Sequence, residues 1–166
     1  MMYPEMRRKK QALDPAACGA ILQAGTSGVL ALSGADGQPY AVPLSYVYYA
    51  GKIYFHCAKA GHKLDLLGQN PKASFCVIGQ DQVVPEKYTT YYRSVILFGT
   101  VRRLTAGEEK RAAILALARR YSPDEPAEKV DAEIARYWDA LCMLELTPGH
   151  ISGKECIELV RQAGRM

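Results

Sequence analysis

The sequence predicts a mainly β, α+β fold: an antiparallel barrel of about six strands, with a helical pair inserted before the last ones. Three observations carry this. Eleven tyrosines stand against three phenylalanines and one tryptophan, and tyrosine suits pleated surfaces and half-wet clefts. Short alternating runs are separated by turn residues, Asp36-Gly37 and Ala50-Gly51 among them. Residues 88–102 form an extended run too long and too β-branched for a flat strand, with Gly99 marking a bend or bulge, as the strands of a small closed barrel require.

Asp14 followed by Pro15 reads as an N-cap and first helical position, opening a short helix over 16–23 that ends near Gly25. Residues 28–33 read as a buried strand and 35–38 as a hairpin turn, because Asp-Gly tolerates positive φ. The return strand, 40–49, is interrupted by Pro43. Proline cannot donate to a ladder, so Pro43 belongs at an edge, a bulge or a place where a ligand meets the backbone. With 52–57, these runs make an antiparallel meander. A helix over 64–69 is stopped by Asn70-Pro71. Residues 72–78 read as a strand and 79–87 as a polar loop.

Thr105 with Glu108 is a capping box that opens a helix to about Tyr121. After a linker at 122–126, a second helix carries Val130, Ile134, Tyr137, Trp138 and Leu141 at helical spacing. A strand over 141–146, a turn at Pro148-Gly149 and a last extended piece over 151–157 complete the pattern.

At 166 residues, 23% charged and 49% hydrophobic, the chain reads as a single globular domain. A net charge of +4 permits an anionic ligand, but nucleic acid would call for a clustered basic face. Arg7-Arg8-Lys9-Lys10 is not followed by an apolar stretch, so it reads as a solvated face and not as a secretory leader. No run reaches membrane-spanning length. Five cysteines without a CxxC pair point to a reducing cytoplasm and no disulfide framework. His56, Cys57 and His62 fit no zinc spacing, so no metal is expected. Paired carboxylates are missing from the strand region, which leaves glycosidase chemistry without support.

One stretch invites a ligand. The strand 53–57 runs into a loop containing Ala58, Ala60 and Gly61, and His62-Lys63 then opens an apolar helical turn. Small residues let backbone N–H groups approach an oxygen-rich group, the helix N-terminus adds partial positive charge, and the two basic side chains add charge-assisted hydrogen bonds. The plainer alternative is a basic surface turn after an edge strand. A Tyr-rich barrel with one phosphate-like site and few acid–base groups is what a cofactor carrying its own reactivity would leave behind.

Four ordered segments carry a resemblance: AVPLSYVY at 41–48, YFHCAKAGHK at 54–63, YTTYYRSV at 88–95 and SGKE at 152–155, with the opening EMRRK at 5–9. Over about residues 6–160 the chain resembles the Nim, nitroimidazole-resistance-type branch of the pyridoxamine-phosphate-oxidase-like, FMN-binding split-barrel superfamily. The resemblance implies a homodimer with two FMN molecules at the subunit interface. His62 and Lys63 would hold the FMN phosphate, helped by the backbone from Ala58 to Gly61. Val42, Pro43 and Leu44 would lie along the isoalloxazine, with His56, Cys57, Arg93, Ser94 and Val95 near the flavin. Trp138 and Lys154 would reach the partner's flavin.

The activity it implies is FMN-dependent reduction of nitroaromatic compounds with a nicotinamide donor. His56 would deliver a proton, since histidine changes charge nearest neutral pH. A non-catalytic FMN-binding, storage or sensor protein is the alternative, and haem or deazaflavin in the same cleft is a third. Pyridoxamine-phosphate oxidase itself carries an Arg-x-Trp segment near its C-terminus. Here that region reads GKECI at 153–157, which disfavours vitamin B6 oxidation.

Overall fold

The protein, seen in a computed structural model, is described for residue 3 and residues 5–105 and 107–165. A two-residue strand β1 (Ala12–Leu13) leads into helix α1 (Pro15–Ala24). Asp14 caps that helix, its Oδ1 accepting from the Ala17 N–H at 2.7 Å. Strands β2 (Ser27–Ser33), β3 (Pro39–Ser45), β4 (Val47–Tyr49) and β5 (Lys52–Ala58) follow. Helix α2 (His62–Gln69) separates β5 from β6 (Lys72–Val84), which pairs with β7 (Thr89–Leu104). The helical pair α3 (Gly107–Tyr121) and α4 (Ala127–Tyr137) precedes β8 (Leu141–Glu155), and α5 (Ile157–Gln162) ends the chain. Pairing is antiparallel in the order β3-β2-β6-β7-β8-β5-β4, with β1 added to β8.

Among the described residues there are eight strands where six were expected. Of the extended segments read from the sequence, 141–146 and 151–157 fuse into β8, 40–49 divides into β3 and β4, and β1 is added. The division falls at Tyr46, not at Pro43. β3 bonds to β2 at one end of the sheet, and β4 bonds to β5 at the other. Both pairings of the expected meander are present, but its middle strand is divided between the two ends of the sheet, which the chain joins at Tyr46. Pro43 sits on β3, which has a neighbour on one side only, where proline is tolerated.

Two further expectations are corrected. Residues 79–84 are not loop but the outer arm of β6, paired from Gln80↔Arg93 to Val84↔Thr89 beyond a bulge at Ile78/Gln80. Pro148-Gly149 is not a turn; β8 runs through it. The register shifts at Phe98/Gly99, where Gly99 faces Pro148 and Phe98 faces His150. A Cβ on Gly99 would collide with the Thr147 carbonyl oxygen, so this close strand approach requires glycine. The capping box at Thr105 and Glu108 abuts Ala106, which lies outside the described residues. Leu141 belongs to β8, not to the second helix.

The barrel interior is closed by Phe55, Phe75, Leu30, Leu97 and Leu144, all fully buried. Phe75 meets the rings of Tyr46 and Phe55 edge-on at 5.1 and 5.0 Å. A second apolar cluster lies outside the barrel wall, where Tyr54, Met143 and Val47 face Ile114, Leu117 and Ile134 of the helical pair. Glu145 ties that pair down. Its buried carboxylate accepts from Arg102 Nε at 2.7 Å and Tyr54 Oη at 3.2 Å and lies 3.1 Å from Lys52 Nζ, while Arg102 also grips Glu109 of α3 at 3.0 and 3.1 Å. Burial alone would raise the Glu145 carboxyl; the hydrogen bonds from Arg102 and Lys52 outweigh it and hold the group below its ordinary value.

Tyr46 itself is fully buried, its hydroxyl donating to the Leu22 carbonyl of α1 at 2.7 Å and its N–H reaching Thr26 O and Tyr121 Oη at 3.3 and 3.0 Å. Tyr46→Phe strands the Leu22 carbonyl and is expected to cost about 1–2 kcal/mol. The check is the urea unfolding midpoint; an unchanged midpoint would show that this hydrogen bond adds nothing net.

Candidate functional site

Period-two alternation sorts the site residues before any ligand is considered. On β3, Tyr40, Val42 and Leu44 pack toward the barrel core, while Ala41, Pro43 and Ser45 are exposed. On β5, Ile53, Phe55 and Cys57 belong to the inner core and Tyr54 to the outer cluster. His56 is exposed on the outer face and lines a cavity beside the helical pair together with Ser45. His56 and Cys57 therefore look to opposite sides of the wall.

The end of β5 leads into the candidate anion loop. Gly61 adopts φ 134 with open space where a Cβ would lie. Backbone angle, not crowding, is what asks for glycine here. Its carbonyl accepts from the Leu64 N–H at 2.8 Å and the Asp65 N–H at 3.3 Å, starting α2. The helix thus begins at His62, two residues earlier than expected. The first amides of a helix have no intrahelical acceptor and carry the positive end of its dipole. His62 is exposed and Lys63 half-buried. The His62 imidazole stands edge-on to the Tyr40 ring, centroids 4.8 Å apart and planes at 84°, which props it at the open end of the barrel. These groups fit a phosphate: turn amides, two basic side chains and a glycine lip. Asp65, in the same first turn, offsets part of that positive field.

Cys57 has a neighbour the sequence did not disclose. It lies directly opposite Cys142 across the β5–β8 ladder, and all five cysteines are free. Burial pushes the Cys57 thiol up to about 11, with Cys142 adding to the rise and the Lys63 ammonium opposing it.

The remaining candidates gather elsewhere. Arg93, Ser94 and Val95 pair with Glu155, Lys154 and Gly153 at the far end of β8 from Cys142. Val95 is fully buried. Arg93 Nε bonds the fully buried Glu155 at 3.1 Å, and Lys154 Nζ lies 5.6 Å from the Tyr92 ring centroid. Trp138, at the end of α4, accepts from Lys110 Nζ through its carbonyl at 2.6 Å, and the same ammonium lies 4.3 Å from its ring centroid. Those contacts join α4 to α3. Tyr40 was missed although alternation places it on the face of Val42; Cys142 was missed because only the sheet register brings it to Cys57. Among the described residues no three His, Cys, Asp or Glu side chains gather to hold a metal, and no helix is long and apolar enough to cross a membrane.

An antiparallel barrel whose sheet ends part at one strand junction is a split-barrel-like fold. Residues 14–155 match the family model of pyridoxamine 5'-phosphate oxidase, and the chain belongs to that family. It is similar to a candidate 5-nitroimidazole antibiotic resistance protein from Bacteroides thetaiotaomicron, 20% identical over 87% of this chain and 86% of that one, with a TM-score of 0.73. A conserved hypothetical protein from Mycobacterium tuberculosis is 18% identical over 96% and 93% of the two chains, with a TM-score of 0.79. A FAD and heme binding protein from Mycobacterium smegmatis is 22% identical over 93% and 80%, with a TM-score of 0.69. At these identities the likeness is one of fold. No curated protein matches the chain significantly.

The Cys57 environment has a direct chemical consequence. Alkylation of Cys57 by iodoacetamide, followed peptide by peptide in a mass spectrometer, is expected to be slow at neutral pH and to rise about tenfold per pH unit into the alkaline range. A rate already on a plateau at neutral pH would mean a standing thiolate and a different setting for this residue.

Proposed function

We propose that this protein binds FMN and acts as an FMN-dependent oxidoreductase on nitroaromatic compounds, working in the cytoplasm as a homodimer with a flavin at each subunit interface. The observation that carries the reading is the anion loop at the foot of β3: Gly61, His62 and Lys63 at the start of α2, with Tyr40 against His62. Family membership and the flavin- and nitroimidazole-related proteins among its structural neighbours support it.

His62, Lys63 and the amides from Ala58 to Gly61 take the phosphate; the exposed backbone face at Pro43, flanked by Val42 and Leu44, takes the ring. Bound there, FMN supplies hydride or electron transfer. His56, on the same outer face as Ser45 and Pro43, holds the proton for the reduced product. Cys57 contributes from the inner side as a neutral thiol. A nicotinamide nucleotide is the electron donor the chemistry asks for. Ile78 at the β6 bulge, Val83 on its outer arm and Tyr88 in the β6–β7 connection, 65%, 68% and 99% exposed, offer an apolar surface suited to a second copy. In such a dimer Arg93, Ser94, Lys154 and Trp138 serve the partner's flavin, Val95 through its backbone because its side chain is buried.

Lys63→Ala is expected to weaken FMN binding by about 1.5 kcal/mol, the low end for a charge-assisted hydrogen bond because Lys63 is half-exposed. Fluorescence titration with FMN measures it, and unchanged affinity removes Lys63 from the site. In His56→Ala, stopped-flow oxidation of the reduced protein by a nitro compound should slow by about 10²-fold or more, with FMN affinity kept. An equal rate would end the proton-donor role. If the wild-type flavin spectrum never bleaches with a nicotinamide donor, the carrier or sensor reading replaces the enzyme.

A further inference from the structure

On the outer face of the barrel a cavity of about 490 Å³ opens between the ends of β3 and β5 and the α3–α4 pair. Small-molecule sites fall in the range of roughly 300–1,000 Å³, with apolar walls around a few placed polar groups. Ile114, Leu117 and Ala118 of α3, with Val130 and Ile134 of α4, supply the apolar wall here. The charges at its rim are already matched. Lys129 Nζ lies 2.7 Å from Glu125 Oε2, and Arg136 Nη1 lies 3.5 Å from Glu133 Oε1. The Tyr121 hydroxyl is held at the Tyr46 junction, accepting from the Tyr46 N–H and donating to the Thr26 carbonyl, which leaves its ring to the cavity. His56 is the one lining side chain of the type that exchanges protons near neutral pH.

We infer that this cavity is a binding site for a neutral, flat aromatic molecule, and that it is where the substrate of the proposed flavin site is held. The second half rests on the flavin reading; the ligand class rests on the cavity alone. An uncharged ring entering these walls gives up little hydration and covers apolar surface. An anion would be stripped of water with its nearest cations already paired to carboxylates. Ser45 and His56 belong to both the cavity wall and the outer face of β3 and β5, so a ring seated here lies beside the face assigned to the flavin. The anion loop takes charge and the cavity refuses it.

The test is a methyl NMR titration of the full chain without added flavin, using nitrobenzene and 4-nitrobenzoate as probes. Expected are saturable nitrobenzene shifts at Ile114, Leu117, Val130 and Ile134, with 4-nitrobenzoate binding at least tenfold more weakly. Ala118→Trp should lose nitrobenzene binding at least tenfold, and Ala118→Phe, a milder filling, should lose part of it; a native-like spectrum certifies the fold of each. Absent or non-saturable shifts, shifts centred elsewhere, equal affinity for the two probes, or full affinity in both filled variants would overturn the inference. So would cavity-methyl shifts that follow protein concentration and not nitrobenzene, which would give the groove to a second copy of the chain. A parallel FMN titration keeps the two readings apart. FMN bound with no cavity shifts sinks the pocket alone; cavity shifts without FMN binding sink the flavin assignment and leave the aromatic site standing.

Discussion

Everything at the outer face depends on how the chain passes through Tyr46. A sheet of this order has two free ends, β3 and β4, and the chain joins them without a ladder between them. Tyr46 makes the joint rigid. Its ring fills the barrel against Phe75, its hydroxyl is bonded to α1, and its N–H meets Thr26 and Tyr121. Burial and the nearby Tyr121 push its phenol up to about 12, so the hydroxyl stays a donor across the physiological range. With the junction fixed inward, Ser45 on one side of it must face outward, and Ser45 then stands with His56 over the helical-pair cavity.

The helical pair is held by charge at one end and by apolar packing along its length. Glu145, Arg102 and Glu109 form a three-membered network from the barrel wall to the first turn of α3. Buried ion pairs often contribute little net stability, because desolvation offsets the attraction. Their use here is positional: five donors converge on Glu145, from Lys52 and Tyr54 of β5, twice from Arg102 of β7 and from Thr147 of β8, and together they fix its carboxylate. Lys110 adds a second tie, reaching under Trp138 to its carbonyl. Trp138 thus has a sufficient structural role within one chain, and any reach toward a partner's ligand is additional to it.

Much of this architecture is legible in the residues because its causes are local. Asp36-Gly37 turns a hairpin, with Asp36 Oδ1 accepting from the Gln38 N–H at 3.1 Å and Gly37 at φ 75. Asp14 caps α1, and Gly99 bends β7 where a strand crosses close. What was misread is non-local. The outer arm of β6 has no buried face over most of its length, so it shows no apolar alternation and reads as loop. Pro148-Gly149 has turn chemistry, yet its conformation is set by Gly99 on the neighbouring strand. Pro43 is the conspicuous interruption in 40–49, but the break occurs at Tyr46, whose partners are in α1 and α3. In the candidate site, Gly61, His62 and Lys63 are contiguous and could be read directly. Cys142 behind Cys57 and the cavity over His56 arise only from register and from helix packing.

The two ends of the outer face differ in a way that composition conceals. A net charge of +4 suggests a uniformly basic surface, but the basic groups are unevenly committed. Arg93 and Arg102 are bound to the buried carboxylates Glu155 and Glu145, and Lys129 and Arg136 are bound to acids along the helical pair. His62 and Lys63 stand instead at a helix start, where the positive end of the dipole adds to the Lys63 ammonium. The cations beside the cavity at Ser45 and His56 are thus ion-paired, whereas Lys63 has no ion pair among the described residues. A face with turn amides and an ammonium at one end and apolar walls beside paired charges at the other suits two chemistries, an anionic group at the loop and an uncharged ring in the cavity. That match does not depend on how many residues of the family pattern are present. It follows from which cations the fold has already neutralised.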